Sequence, residues 1–264
     1  MEARDVAENE QWTVDLTLRP PPLGTGGMHP VSVVTEELRA VLESYGFDEF
    51  DSPVVVSAEY NFDRLGVPEG AAVRDGRRNF WLDDGHLLRS HTSAGVARLL
   101  AATETDEVRA FVVGPCFRHE RRSARSAWQF TQMDVVLTGD EVRPAHLTHL
   151  LRLLAREALG EYWPVQIRPE TREGRLTGWS LHAGCCCGPD DECALCRGTR
   201  WLEIAQGSVL PAAVLDGSAL TLREGQAVAC GLSVDRVVLL RWGLDDISLL
   251  TTAEPALVHS WGTP

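Results

Sequence analysis

The sequence predicts an α+β domain, a largely antiparallel sheet flanked by helices. Three observations carry this. Val108–His119 and Gln129–Leu137 read as two strands joined by a loop of arginine and serine. Pro30–Tyr45, Ala145–Gly160 and Val234–Trp242 carry apolar residues at helical spacing. No internal repeat or low-complexity segment points to a solenoid or a tail-dominated chain. A length of 264 residues admits one large domain or two small ones. We read an acidic disordered tail over 1–11 and one domain over 12–264, with a cysteine-rich insertion at 182–198.

The elements follow in order. Trp12–Leu18 alternates as a short strand, and Arg19–Gly27 is a stiff proline- and glycine-rich connector. In the Pro30–Tyr45 helix, Val34, Leu38, Val41 and Leu42 share a face, and Gly46 ends it. Phe47–Val56 is expected to be a strand, interrupted or ended by Pro53. Asn79–Leu88 reads as a hairpin around Asp84-Gly85. Thr92 or Ser93 caps a helix running to about Ala102. Val165–Arg168, Trp201–Ile204 and Ala227–Cys230 are further strands, and Gly243 closes the last helix.

Composition excludes several function classes. Apolar residues make up 44% and charged residues 24%, as in ordinary globular chains. No apolar run approaches the roughly 20 residues that span a bilayer. The acidic N-terminus has no secretion-signal pattern, so the expected location is cytoplasmic. A net charge of −13 argues against a broad nucleic-acid-binding surface. All 25 basic residues are arginine. Without lysine there is no Schiff-base chemistry and no P-loop lysine. Any phosphate must be held by arginine forks, backbone N–H groups or metal.

Four segments read as an ATP and carboxylate site. They are Phe117-Arg118-His119-Glu120, Phe130-Thr131-Gln132-Met133-Asp134, Trp201-Leu202-Glu203-Ile204 and Gly231-Leu232-Ser233-Val234-Asp235-Arg236. With Val14–Leu18, Met28-His29-Pro30, Tyr60-Asn61-Phe62-Asp63 and Leu88–Ser93, they keep one order and near-identical spacing. In that pattern the chain resembles the catalytic core of the phenylalanyl-tRNA synthetase α subunit, a class II aminoacyl-tRNA synthetase. The resemblance runs from about Trp12 to the end.

The resemblance implies roles that the residues alone do not. An arginine–glutamate pair beside a phenylalanine is usually a surface ion pair next to a core ring. By resemblance, Arg118 binds the ATP α-phosphate and the substrate carboxylate, where negative charge concentrates during attack. Glu120 accepts from the adenine amino group and Phe130 stacks on adenine. Arg236 faces the γ-phosphate, and Gly231 permits close backbone approach. The family usually has glycine at 233 and glutamate at 235, where this chain has Ser233 and Asp235. Glu203 takes the place of a magnesium-binding carboxylate. His91, Ser93, Gln132 and Asp134 hold the amino acid's ammonium, with Asp134 replacing the family's longer glutamate. The Pro30 helix and following strand, up to residue 56, resemble the motif that pairs two catalytic domains, so a homodimer is expected.

Departures from the family bear on the substrate. Its Phe-Pro-Phe pocket lining is replaced by Arg172-Glu173-Gly174, and a pocket glycine by Gln206. Arg172 and Gln206 are therefore candidate amino-acid-binding residues, and phenylalanine is not the expected substrate. A loop histidine that binds ATP is Ser126 here, with Arg121, Arg122 or Arg125 as substitutes. Only about eleven residues precede the resemblance, so neither the family's N-terminal coiled coil nor its partnership with a β subunit is expected, and with a net charge of −13 ordinary tRNA docking is not expected either. The expected function is ATP-dependent formation of an aminoacyl-adenylate, then transfer to a carrier protein or small biosynthetic intermediate. Two alternatives are a tRNA synthetase of altered specificity and a non-catalytic amino-acid or nucleotide sensor. The sensor would be expected to have lost the phosphate arginines, which are present.

Five of the seven cysteines lie between Cys185 and Cys196. Such a cluster in a chain read as cytosolic points to a metal rather than to disulfides. Many bacterial members of the family carry two C-x-x-C pairs here. Cys193 and Cys196 form an intact pair, and tetrahedral zinc needs two more ligands. Cys185 and Cys187 are the first choice, with His182 and Cys186 as alternatives.

Overall fold

A computed structural model describes residues 27–82, 84–172, 175–188, 192–216, 218–223 and 226–251. The predicted tail 1–11, the strand Trp12–Leu18 and all but the last residue of the Arg19–Gly27 connector lie outside these residues.

Helix α1 (Pro30–Ser44) starts where His29 Nδ1 accepts from the Val31 N–H at 3.2 Å, with Pro30 presetting φ at its first position. Val34, Leu38 and Leu42 recur every four residues and are fully buried. The helix stops at Gly46, whose φ of +75° is left-handed. The strand expected over Phe47–Val56 is two short ones. β1 (Asp48–Glu49) and β2 (Val55–Ser57) are separated by Pro53, which has no N–H to donate and restricts Ser52. β2 leads into α2 (Ala58–Asn61) and pairs with β3 (His86–Leu88). The predicted hairpin is present: the Leu82 N–H donates to His86 O at 2.7 Å and the Leu88 N–H to Phe80 O at 2.9 Å.

The chain continues through α3 (Ser93–Ala102), β4 (Val108–Phe117), β5 (Gln129–Thr138) and α4 (Pro144–Leu159). β6 (Val165–Arg172) and β7 (Arg175–Gly184) form a hairpin, and β8 (Trp201–Val209) follows the cysteine-rich connection. α5 (Ala212–Leu215), β9 (Ala227–Ser233) and α6 (Val234–Arg241) complete these elements. The sequence reading missed α2, β7 and α5, and its β6, β8 and β9 were too short.

Seven strands form one sheet in the order β1-β4-β5-β9-β8-β7-β6. β1 pairs parallel with β4, and every other pair in this sheet is antiparallel. Alternation sends successive side chains to opposite faces. Phe111, Met133 and Val135 face one way and pack with Leu38 of α1, Leu151 of α4 and Val237 of α6. Val112 and Val136 face the other way, under Val96 and Leu100 of α3. Each such side chain, fully buried, contributes roughly 1.5–3 kcal/mol. Helices α1, α4 and α6 thus cover one face. α3 covers only part of the other, which leaves room for a cavity.

Candidate active site

A cavity of about 1280 Å³ opens on the α3 side of the sheet. Gln132 and Asp134 alternate with Met133 and Val135, so they point away from the helical core and into it. Arg118, Glu120, Phe130, Glu203 and Arg236 line one region of the wall, and His91, Ser93, Gln132, Asp134 and Gln206 line the next.

Arg118 lies one residue beyond β4. Its Nε donates to Ser90 O at 2.8 Å, and its guanidinium sits over the Phe130 ring, 4.9 Å from the centroid. Arg236 is carried by α6, whose N-cap is Ser233: the serine hydroxyl accepts from the Arg236 N–H at 3.4 Å. Arg236 Nη1 donates to Glu203 O at 2.8 Å and lies 3.8 Å from the Glu203 carboxylate. Burial holds the Arg236 pKa below its usual value; Glu203 opposes this, while Arg125 and Arg118 add repulsion. Asp235 is buried and accepts from the Thr131 N–H at 2.5 Å, tying α6 to β5. Burial pushes its carboxyl up to about 6.

Asp134 is almost fully buried. Its carboxylate accepts from the Ser93 hydroxyl and, at 2.8 Å, from Gln132 Nε2. Burial raises its pKa, and the Ser93 and Gln132 hydrogen bonds oppose that rise. Gly231 lies opposite Asp134 in the register. A Cβ there would stand 2.3 Å from Asp134 Oδ1 and 2.7 Å from Gln132 Nε2, so only glycine leaves both side chains where they are. His91 Nδ1 is buried with no hydrogen-bond partner among the described residues. Burial, then the charge of Arg118, lowers its pKa to about 4, so the ring is neutral at pH 7.

The structure narrows two points that the sequence left open. Arg125 and Ser126 line the cavity, whereas Arg121 and Arg122 are not part of its wall. Arg122 lies over the Trp128 ring instead. The sulfurs of Cys185, Cys187, Cys193 and Cys196 all lie within 4.8 Å of one another. Cys185–Cys193 and Cys187–Cys196 are each 3.6 Å apart. His182 Nε2 pairs instead with Ser180 Oγ at 3.0 Å, and Cys186 Sγ with Leu240 O at 3.3 Å. Neither belongs to the group.

One predicted site residue is not placed at the cavity. Arg172 ends β6, and its side chain, like Glu173 and Gly174, lies outside the described residues. Sequence reasoning missed Glu170, Thr177 and Ser208, which line the cavity from β6, β7 and β8. The alternation of Trp179, Leu181 and Ala183 was the available signal for β7.

A profile of the family described as tRNA synthetases class II core domain (F) matches residues 13–261. Among similar curated proteins is the phenylalanine–tRNA ligase alpha subunit of Dehalococcoides mccartyi strain CBDB1. It is 29% identical, over 94% of this chain and 73% of its own length. The same-named subunit of Leptospira biflexa serovar Patoc strain Patoc 1 / Ames is 31% identical, over 88% of this chain and 68% of its own. That of Bacillus subtilis strain 168 is 28% identical, over 89% and 69%.

Proposed function

Because the chain belongs to the class II tRNA synthetase core-domain family, we propose that it is an ATP-dependent ligase that activates an amino acid as its adenylate. The observation that carries this is the single cavity shared by three arginines, Arg118, Arg125 and Arg236, and by the Asp134–Gln132–Ser93 group. The first set suits a polyphosphate and the second an ammonium.

In this reading the amino acid's carboxylate oxygen attacks the α-phosphorus of ATP, and the bond to pyrophosphate breaks. Arg118 binds the α-phosphate and the carboxylate, Arg236 the γ-phosphate, and Arg125 replaces the family's loop histidine. Glu120 and Phe130 hold adenine. His91, neutral, and Ser93, Gln132 and Asp134 position the ammonium. Magnesium would be held by Glu203, a partly exposed carboxylate on the cavity wall, and would neutralise the leaving pyrophosphate. An acceptor nucleophile then attacks the acyl carbon and releases AMP. The cysteine group fits zinc: a tetrahedron with Zn–S near 2.3 Å sets sulfurs about 3.8 Å apart.

The proposed substrate is a smaller or polar amino acid, not phenylalanine. Gln206, Thr177, Ser208 and Glu170 put polar groups along that end of the cavity, beside Trp179 and Leu176. Desolvating them against a phenyl ring costs roughly 1–3 kcal/mol per group. The proposed acceptor is a carrier protein or small intermediate. A second reading, a tRNA-charging enzyme of altered specificity, is favoured by the relatives' names and by Arg77, Arg78, Arg121 and Arg122, all exposed. The test is amino-acid-dependent ATP–pyrophosphate exchange over a broad panel. Highest kcat/KM with phenylalanine or tyrosine would sink the pocket reading. No exchange with any amino acid would favour a sensor.

Gly231→Ala should raise the amino-acid KM by roughly 10- to 100-fold, the worth of a displaced charged hydrogen bond, and leave the ATP KM nearly unchanged. An amino-acid KM within twofold of wild type would show that the ammonium does not bind over Gly231. We also propose a homodimer through residues 30–56, where Tyr45 and Val55 are exposed. Light scattering at micromolar concentration should give twice the 29.0 kDa chain mass. A monomer mass would refute this.

A further inference from the structure

Glu170 of β6 faces Gly178 of β7. With no side chain opposite, its carboxylate leans along β7, and Oε1 accepts from the Ser180 hydroxyl at 2.5 Å. Ser180 is fully buried. Having donated its proton, its oxygen accepts from His182 Nε2 at 3.0 Å. Burial, then Arg168, holds the His182 pKa down, which fits a neutral ring protonated on Nε2. The carboxylate is therefore fixed by a directed chain, His182 to Ser180 to Glu170. Its other oxygen, Oε2, has no partner among the described residues, and Glu170 lines the cavity.

The register tells where this carboxylate lies relative to the ammonium site. Ser180 is opposite Gln206, Gln206 is opposite Gly231, and Gly231 is opposite Asp134. With Arg168 of β6, which is opposite Ser180, these residues form one row on one face of the sheet. Asp134 leans over Gly231 from one end, and Glu170 leans over Ser180 from the other. Two strand spacings separate the two carboxylates, about 10 Å. An amino acid with its ammonium at Asp134 directs its side chain past Gln206 toward Glu170. Among the described residues the arginines on the cavity wall are Arg118, Arg125 and Arg236, carried by the β4–β5 connection and α6; Arg168, opposite Ser180 at the β6 edge, is not part of the wall, and its guanidinium donates to Gln166 Oε1 instead. A bound substrate takes water from Glu170, and an unpaired buried carboxylate is costly. A neutral donor leaves the charge uncompensated, whereas an ammonium cancels it.

We propose that Glu170 is the specificity-determining residue and that the substrate is a basic amino acid. Its side chain has roughly two to four methylenes, the length that the row allows, and ends in an ammonium. Ser180 is a positioning residue. This rests on the activation reading above.

The test is ATP–pyrophosphate exchange with diaminobutyrate, ornithine and lysine beside norleucine, glutamine, glutamate and phenylalanine. Calorimetry of the same amino acids without ATP runs in parallel. The expected result is highest kcat/KM with a diamino acid. Glu170→Gln should lower that value by about 10- to 100-fold through KM, leave kcat nearly unchanged, and not weaken norleucine. Ser180→Ala should raise the same KM with kcat unchanged. A neutral or acidic amino acid as best substrate, with exchange intact, would overturn the assignment while leaving the activation reading standing. Binding of diamino acids that is indifferent to Glu170→Gln would overturn it too. No exchange and no binding with any amino acid would bring down the activation reading and this one with it.

Discussion

Arg118→Ala is expected to slow ATP–pyrophosphate exchange by roughly 100- to 1000-fold, the usual cost of losing one preorganised donor to a developing charge. The reason lies in how the side chain is held. Its Nε donates to Ser90 O and its plane lies on Phe130, which leaves the outer edge of the guanidinium free to meet oxygens in the cavity. A donor fixed before the reaction needs no reorganisation as charge concentrates on the α-phosphate. Arg118→Lys should recover only part of the rate, because an ammonium keeps the charge and loses the planar fork. The fold should persist: Arg118 lies past the end of β4 and contributes no apolar core. Circular dichroism and melting of the variant check this. Exchange near the wild-type rate would show that the role is wrong.

Protein purified without chelator is expected to carry about one zinc per chain, bound by Cys185, Cys187, Cys193 and Cys196. Cys193→Ser should bring zinc below a tenth of an equivalent. The cluster also anchors packing, since Leu195 between the C-x-x-C cysteines is buried in the main core. Releasing it should lower Tm by roughly 5–10 °C, at about 2–4 °C per kcal/mol for a chain of this size. Elemental analysis and melting with and without chelator measure both effects. Metal below a tenth of an equivalent in the wild type, with the fold intact, would point to a reduced cysteine loop that holds no metal.

Much of the cavity's composition was legible because strand alternation is a local property. Once Gln129–Leu137 is a strand with Met133 and Val135 on its core face, Gln132 and Asp134 must share the other. Arg236 was legible because a cap and an apolar helix follow Gly231 directly. β7 was overlooked because glycines at 178 and 184 and the adjoining cysteines obscured a short alternation. The break between β1 and β2 hung on Pro53, which the sequence flagged without deciding where each half would pair.

By itself, the sequence determined the α+β class, the antiparallel character of the sheet, the starts and stops of the four longer helices, and the absence of lysine, which leaves arginine as the permanently charged basic side chain. These follow from side-chain period, caps and composition, which act within about ten residues. Only the tertiary structure decided which cysteines group, that Arg125 rather than Arg121 or Arg122 lines the cavity, and that Gly231 makes room for Asp134 and Gln132. It alone aligned Asp134, Gly231, Gln206 and Ser180 in one row and leaned Glu170 over its end. Those relations depend on the order β5-β9-β8-β7-β6, which sets side by side residues far apart in the chain. No local pattern records that order, because it is chosen by how the whole sheet buries its faces against α1, α4, α6 and α3.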